Sequence, residues 1–96
     1  GLPFVASEPR ISACVIGLMG ATGPTRDRVV SAAQDLTIPV MFLMQWHDQF
    51  FGRDDALALF DSVGSTTKTL MANPGVHGAV PSHAFDASAR FLFRHI

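Results

Sequence analysis

Asp48 and His77 are the residues of this chain best placed for proton chemistry, and each stands just beyond a short apolar run. Asp48 closes the polar turn Gln45-Trp46-His47-Asp48, which follows five consecutive apolar residues, Val40 to Met44. His77 lies in the loop opened by Asn73-Pro74-Gly75, after Lys68-Thr69-Leu70-Met71-Ala72. An aspartate that accepts from one imidazole nitrogen fixes the tautomer and stabilises the imidazolium, leaving the other nitrogen to take a proton from a nucleophile. These are two members of a catalytic triad, in the order acid then histidine.

Other chemistry competes for the same residues. His47, His77 and His83 with Asp48 are compatible with zinc as ligand types, but their spacing matches no compact zinc motif, and no metal is expected. Trp46 is a candidate substrate-binding residue lining an acyl or alcohol pocket; the plain alternative for it, as for Phe50-Phe51, is core or rim. Cys14 sits among apolar neighbours and reads as a small buried hydrophobe, and the four methionines fall on strands as core fillers. His83 and His95 belong in or near a helix, at the surface.

The elements that must position Asp48 and His77 follow from periodicity. Pro39 and the shortness of the 40–44 run favour a strand buried on both faces, hence a parallel sheet. Ile11 to Met19 is a second near-continuous apolar run, closed by Gly20 and Gly23-Pro24. Val29, Val30, Ala33 and Leu36 fall at helical spacing after Pro24, which suits a first helical position, with Asp27 at the positive end of the dipole. Ala56, Leu57, Phe60 and Val63 repeat that spacing, with Asp54 and Asp55 as cap and first-turn acids and Gly64 as the stop. Lys68 to Ala72 makes a third strand. Pro81 opens a last helix with an apolar face of Phe85, Ala89, Leu92, Phe93 and Ile96. Gly1 to Pro9 reads as an extended lead-in. The order is β-α-β-α-β-α, an α/β fold with parallel strands and right-handed crossovers. Loops after neighbouring parallel strands lie about 4.8 Å apart plus side-chain reach, so Asp48 and His77 can meet.

Composition narrows the partners. Ninety-six residues make one domain at most, with 48% apolar and 16% charged residues, more core than so small a chain can bury alone. Seven basic against eight acidic residues, with no basic cluster, leave no field for nucleic acid or anionic lipid. A single cysteine excludes an internal disulfide and tilts the expected location to the cytoplasm. No run approaches the ~20 apolar residues of a membrane span. The chain begins Gly-Leu-Pro without Met, as a processed or fragmentary product would.

A family resemblance joins these features. Ile38-Pro39-Val40 through Gln45-Trp46-His47-Asp48, the helix Leu57-Ala-Leu-Phe60, the strand Lys68-Thr69-Leu70 and Asn73-Pro74-Gly75-Val76-His77 with a closing helix resemble the carboxyl-terminal part of α/β-hydrolases. Within them the chain looks most like small esterases similar to dienelactone hydrolase. Arg10-Ile11 to Gly20 is similar to the strand after the family's nucleophile helix. The resemblance implies Asp48 as triad acid, His77 as triad base, and hydrolysis of carboxylic esters or lactones without a cofactor. The family's Gly-x-Ser-x-Gly nucleophile elbow is absent, and its oxyanion-hole donors would lie before Gly1. The chain is therefore expected to be the carboxyl-terminal fragment of one domain, lacking on the order of a hundred residues or more. Its expected partners are a small ester or lactone and the upstream part of the domain, or a second chain that supplies the nucleophile. A serine peptidase of the same fold, similar to prolyl oligopeptidases, and a non-enzymatic fragment or interaction module are the alternatives.

Overall fold

The structure is a computed structural model and describes residues 11–20, 24 and 26–95. Among these residues six elements follow one another: β1 (Cys14–Gly17), α1 (Arg26–Gln34), β2 (Val40–Gln45), α2 (Arg53–Ser62), β3 (Lys68–Asn73) and α3 (Ser82–His95). The strands form one sheet in the order β1-β2-β3, and both pairings are parallel. This is the α/β alternation that the periodicity predicts. The lead-in Gly1 to Pro9, Gly23 of the predicted breaker and Ile96 of the last helix's predicted face lie outside the described residues.

Alternation along β2 divides the interior in two. Val40, Phe42 and Met44 point into a core completed by Cys14, Ala32, Ala33, Leu36, Ala56, Leu59 and Val63, and so pack under α1 and α2. Phe42 is fully buried and meets the Phe60 ring edge-on at 6.0 Å. On the opposite face Met41 receives the Ser88 hydroxyl of α3 at a sulfur contact of 3.8 Å. The central strand is thus covered on both sides, which explains its unbroken apolar run. Among the described residues β1 is an edge strand, only half-buried from Val15 to Gly17, and four residues long where the apolar run of the sequence spans nine. Leu18 ends it by turning into the left-handed region (φ 55°) while its N–H still bonds the Leu43 carbonyl at 3.0 Å.

Four further features differ from the sequence reading. Pro24 lies in a turn ahead of α1, which starts at Arg26. At α2 the cap is Gly52, with no side-chain cap bond, so Asp54 serves with Asp55 as a first-turn acid complementing the dipole. Gly64 is needed for close approach and not for a left-handed stop. Val63 is the cap of α2, in extended conformation, and a Cβ on Gly64 would overlap the Gln34 carbonyl oxygen. The fourth difference is the rotation of α3. Ala84 and Phe91 are buried while Phe85 and Phe93 are 61% and 77% exposed. A second helical stripe, Ala84, Ser88 and Phe91, faces the sheet, because two small residues let the helix axis come close while Phe91 fills the remaining space.

Candidate active site

The site is built where the carboxyl ends of β2 and β3 meet. Their register pairs the last residues, Gln45 with Asn73, so the two loops leave the sheet side by side. Main-chain bonds then stitch the loops together: Trp46 N–H donates to Asn73 O at 2.7 Å and His47 N–H to Gly75 O at 3.0 Å. Gly75 turns at φ +118°, a conformation that a side chain strains against.

On that frame Asp48 and His77 come together. Asp48 Oδ2 lies 2.7 Å from His77 Nδ1. The carboxylate can only accept, so Nδ1 carries the proton and Nε2 is the nitrogen left for a proton from elsewhere. The other carboxylate oxygen, Oδ1, accepts the N–H groups of Phe50 at 2.7 Å and Phe51 at 3.0 Å. The Asp48 side chain is 4% exposed and that of His77 28%. Burial alone would raise the Asp48 pKa. The two amide hydrogen bonds, joined by the hydrogen bond and charge of His77, outweigh it and hold the carboxyl below its ordinary value of 3.8. Asp48 is therefore an anion at neutral pH, aimed at one imidazole nitrogen. Phe50 packs edge-on against the imidazole at 5.1 Å and Phe51 lies tilted at 6.0 Å, which restricts the ring's rotation.

The remaining candidates fall around this pair. Trp46 is 39% exposed, with the Arg53 guanidinium 4.8 Å over its ring, and the two residues line an open groove with Gly52, Asp55 and Leu57. His47 points into solvent beside Asp48. His83, on the exposed side of α3, reaches Asn73 Oδ1 at 3.2 Å. Among the described residues no three His, Cys, Asp or Glu side chains converge as metal ligands. Cys14 is buried in β1, and burial pushes its thiol pKa up, away from reactivity.

Comparison with known structures adds a relative. Three structures of a cold-adapted esterase from an Arctic intertidal metagenomic library, one native, one zinc-bound and one PEG-bound, match all of this chain at 37% identity and a TM-score of 0.92. The chain spans 44% of that esterase in the native and zinc-bound structures and 42% in the PEG-bound one. This chain has an esterase-like α/β fold. No protein-family model and no curated protein matches it.

Within the esterase-like fold, sequence reading passed over four residues that shape the site. Gln45, Gln49, Asn73 and Gly75 hold the loops, whereas the sequence reading gives Gln45, Asn73 and Gly75 only as turn or breaker residues and does not single out Gln49. Gln45 did leave a signal. An amide at the next alternating position after Met41 and Leu43 stands where β2 predicts an apolar side chain, and it is 2% exposed. Gln49 left none, because a surface glutamine in a loop is ordinary until its partner is known.

Proposed function

We propose that this chain supplies the acid and the base of a serine hydrolase acting on carboxylic esters or lactones, of a kind similar to the small esterases that resemble dienelactone hydrolase. The observation that carries the reading is the 2.7 Å contact between Asp48 and His77, made by a carboxylate whose second oxygen is already occupied by two amides. In this reading His77 Nε2 takes the proton of a serine hydroxyl as its oxygen attacks the ester carbonyl. The same nitrogen returns that proton to the departing alkoxide, which in a lactone is the ring oxygen. Water repeats the cycle on the acyl-enzyme, and Asp48 keeps the imidazole in one tautomer throughout. The serine and the oxyanion donors come from the upstream part of the domain or a second chain. The groove beside Trp46 receives part of the substrate. The likeness to the cold-adapted esterase over the full chain supports ester chemistry.

One structure of that esterase is zinc-bound, so the test separates a histidine base from a metal ligand. Ester hydrolysis by the natural-length protein is measured for His77→Ala and His47→Ala, each with and without a chelator. A loss of several orders of magnitude at His77 alone, insensitive to chelator, is the expected result. Equal, chelator-sensitive losses at both histidines would end the serine-hydrolase reading.

A further inference from the structure

The loop that carries the acid also grips the peptide unit that carries the histidine. The carbonyl of that unit belongs to Val76, and Gln45 Nε2 donates to it at 3.1 Å. Its N–H belongs to His77 and donates to Gln49 Oε1 at 3.0 Å. Both ends of one peptide plane are thus bound by glutamine side chains that flank Asp48 in sequence, three residues before it and one after. The amide orientations follow from their partners, since a carbonyl can only accept and a main-chain N–H can only donate.

Packing alone does not account for Gln45. It is 2% exposed at the end of an otherwise apolar strand, where a methionine would fill the space without a polar group to satisfy. Its Nε2 would stand 3.4 Å from a Cβ on Gly75, so the amide and the glycine fit each other where the loop turns at φ +118°. A peptide plane free to rock about its two flanking Cα atoms would swing the His77 side chain, while one held at both ends cannot. The Asp48–His77 hydrogen bond restrains only the far end of that side chain.

We infer that Gln45 and Gln49 are positioning residues that clamp the Val76–His77 peptide plane and so set the direction of His77 Nε2. This rests on the proposed role of His77 as base. Because the clamp acts on orientation, its loss appears in turnover and in the Asp48–His77 hydrogen bond before it appears in stability or substrate binding.

The test uses the natural-length protein with Gln45→Met and Gln49→Met, near-isosteres lacking the strong donor and the strong acceptor, and Gln49→Glu, which keeps an acceptor. Steady-state hydrolysis of an aryl ester is read with the downfield Nδ1 proton resonance of His77, identified by its loss in His77→Ala. Either Met variant is expected to lower kcat by about tenfold to a hundredfold with KM within about twofold, and to shift or broaden the Nδ1 resonance. Gln49→Glu is expected to restore the resonance. An unchanged resonance in both Met variants overturns the clamp, whether kcat is kept or falls only in step with Tm. Full activity in His77→Ala would refute the hydrolase reading instead, and the Nδ1 resonance, which needs no turnover, still decides the clamp.

Discussion

The two ends of the sheet solve the same problem and put the solution to different use. At the amino end of β3, Lys68 Nζ donates to three carbonyls that finish α2, those of Phe60 at 3.0 Å, Asp61 at 3.2 Å and Val63 at 3.1 Å, and lies over the Phe60 ring at 4.8 Å. Close by, Gly64 N–H bonds the Ala33 carbonyl at 3.0 Å and Ser65 Oγ accepts the Thr67 N–H at 3.1 Å. At the carboxyl end Gln45, Asp48 and Gln49 serve the main chain of the 50–51 and 76–77 segments in the same way. Side chains satisfy main-chain groups at both ends. The difference lies in what is left over: Lys68 is wholly engaged with carbonyls, whereas Asp48 spends one oxygen on amides and keeps the other for an imidazole. Stability sits at one end of the strands, and reactivity can be built at the other.

That contrast makes predictions that can break it. The largest effect is expected from Asp48→Asn, which removes the anion but keeps an amide of the same shape: kcat for ester hydrolysis by the natural-length protein should fall roughly 10⁴-fold. A Tm change is expected to be small by comparison, and a mutant that simply unfolds would erase the distinction between the ends. Between them, Phe42→Ala calibrates the core, with an expected loss of about 3–5 kcal/mol in denaturant unfolding, since Phe42 is fully buried against Phe60. Lys68→Met is the mirror of the Asp48 substitution. It should cost about 1–3 kcal/mol by leaving α2 carbonyls without their charged donor, with kcat and KM unchanged. A fall in kcat at full stability would show that the two ends are coupled.

Acid titration sharpens the comparison at a smaller scale. The folded pKa of Asp48 lies below its ordinary value of 3.8, so its contribution to stability is complete above that value and is lost as pH falls through the lower folded value. The charge-dependent part of the stability difference between the parent and Asp48→Asn should therefore shrink as pH falls below about 3.8, read from unfolding midpoints against pH. A difference that persists at the lowest pH would assign the effect to hydrogen-bond geometry and not to charge. The smallest effect belongs to the outer stripe of α3: Phe85→Ser and Phe93→Ser, at positions 61% and 77% exposed, should each change unfolding free energy by no more than about 0.5 kcal/mol.

Much of this arrangement was legible one residue at a time. The apolar run from Val40 to Met44 determined a strand buried on both faces, and the 3.6-residue recurrences after Pro24 and Asp54 determined the helices between strands. Because parallel strands must be joined by crossovers, that order alone placed the loops after β2 and β3 at the same end of the sheet, with Asp48 on one and His77 on the other. Periodicity fixes which side chains share a face, and it needs no partner to do so.

Tertiary structure decided what depends on distance between segments far apart in sequence. The strand order made the two loops neighbours, and the Gln45–Asn73 register set the level at which they leave the sheet. The face that α3 presents is a second example, because Phe85, Ala89 and Phe93 form as good a helical stripe as Ala84, Ser88 and Phe91, and the fold buries Ala84 and Phe91 with Ser88 against Met41. The grip of Gln45 and Gln49 on a peptide 31 and 28 residues away is a third. A glutamine carries the same two donors and two acceptor lone pairs wherever it stands, so nothing in its type announces which carbonyl or amide it will meet. That choice is made when the chain closes and the two loops come within hydrogen-bonding distance.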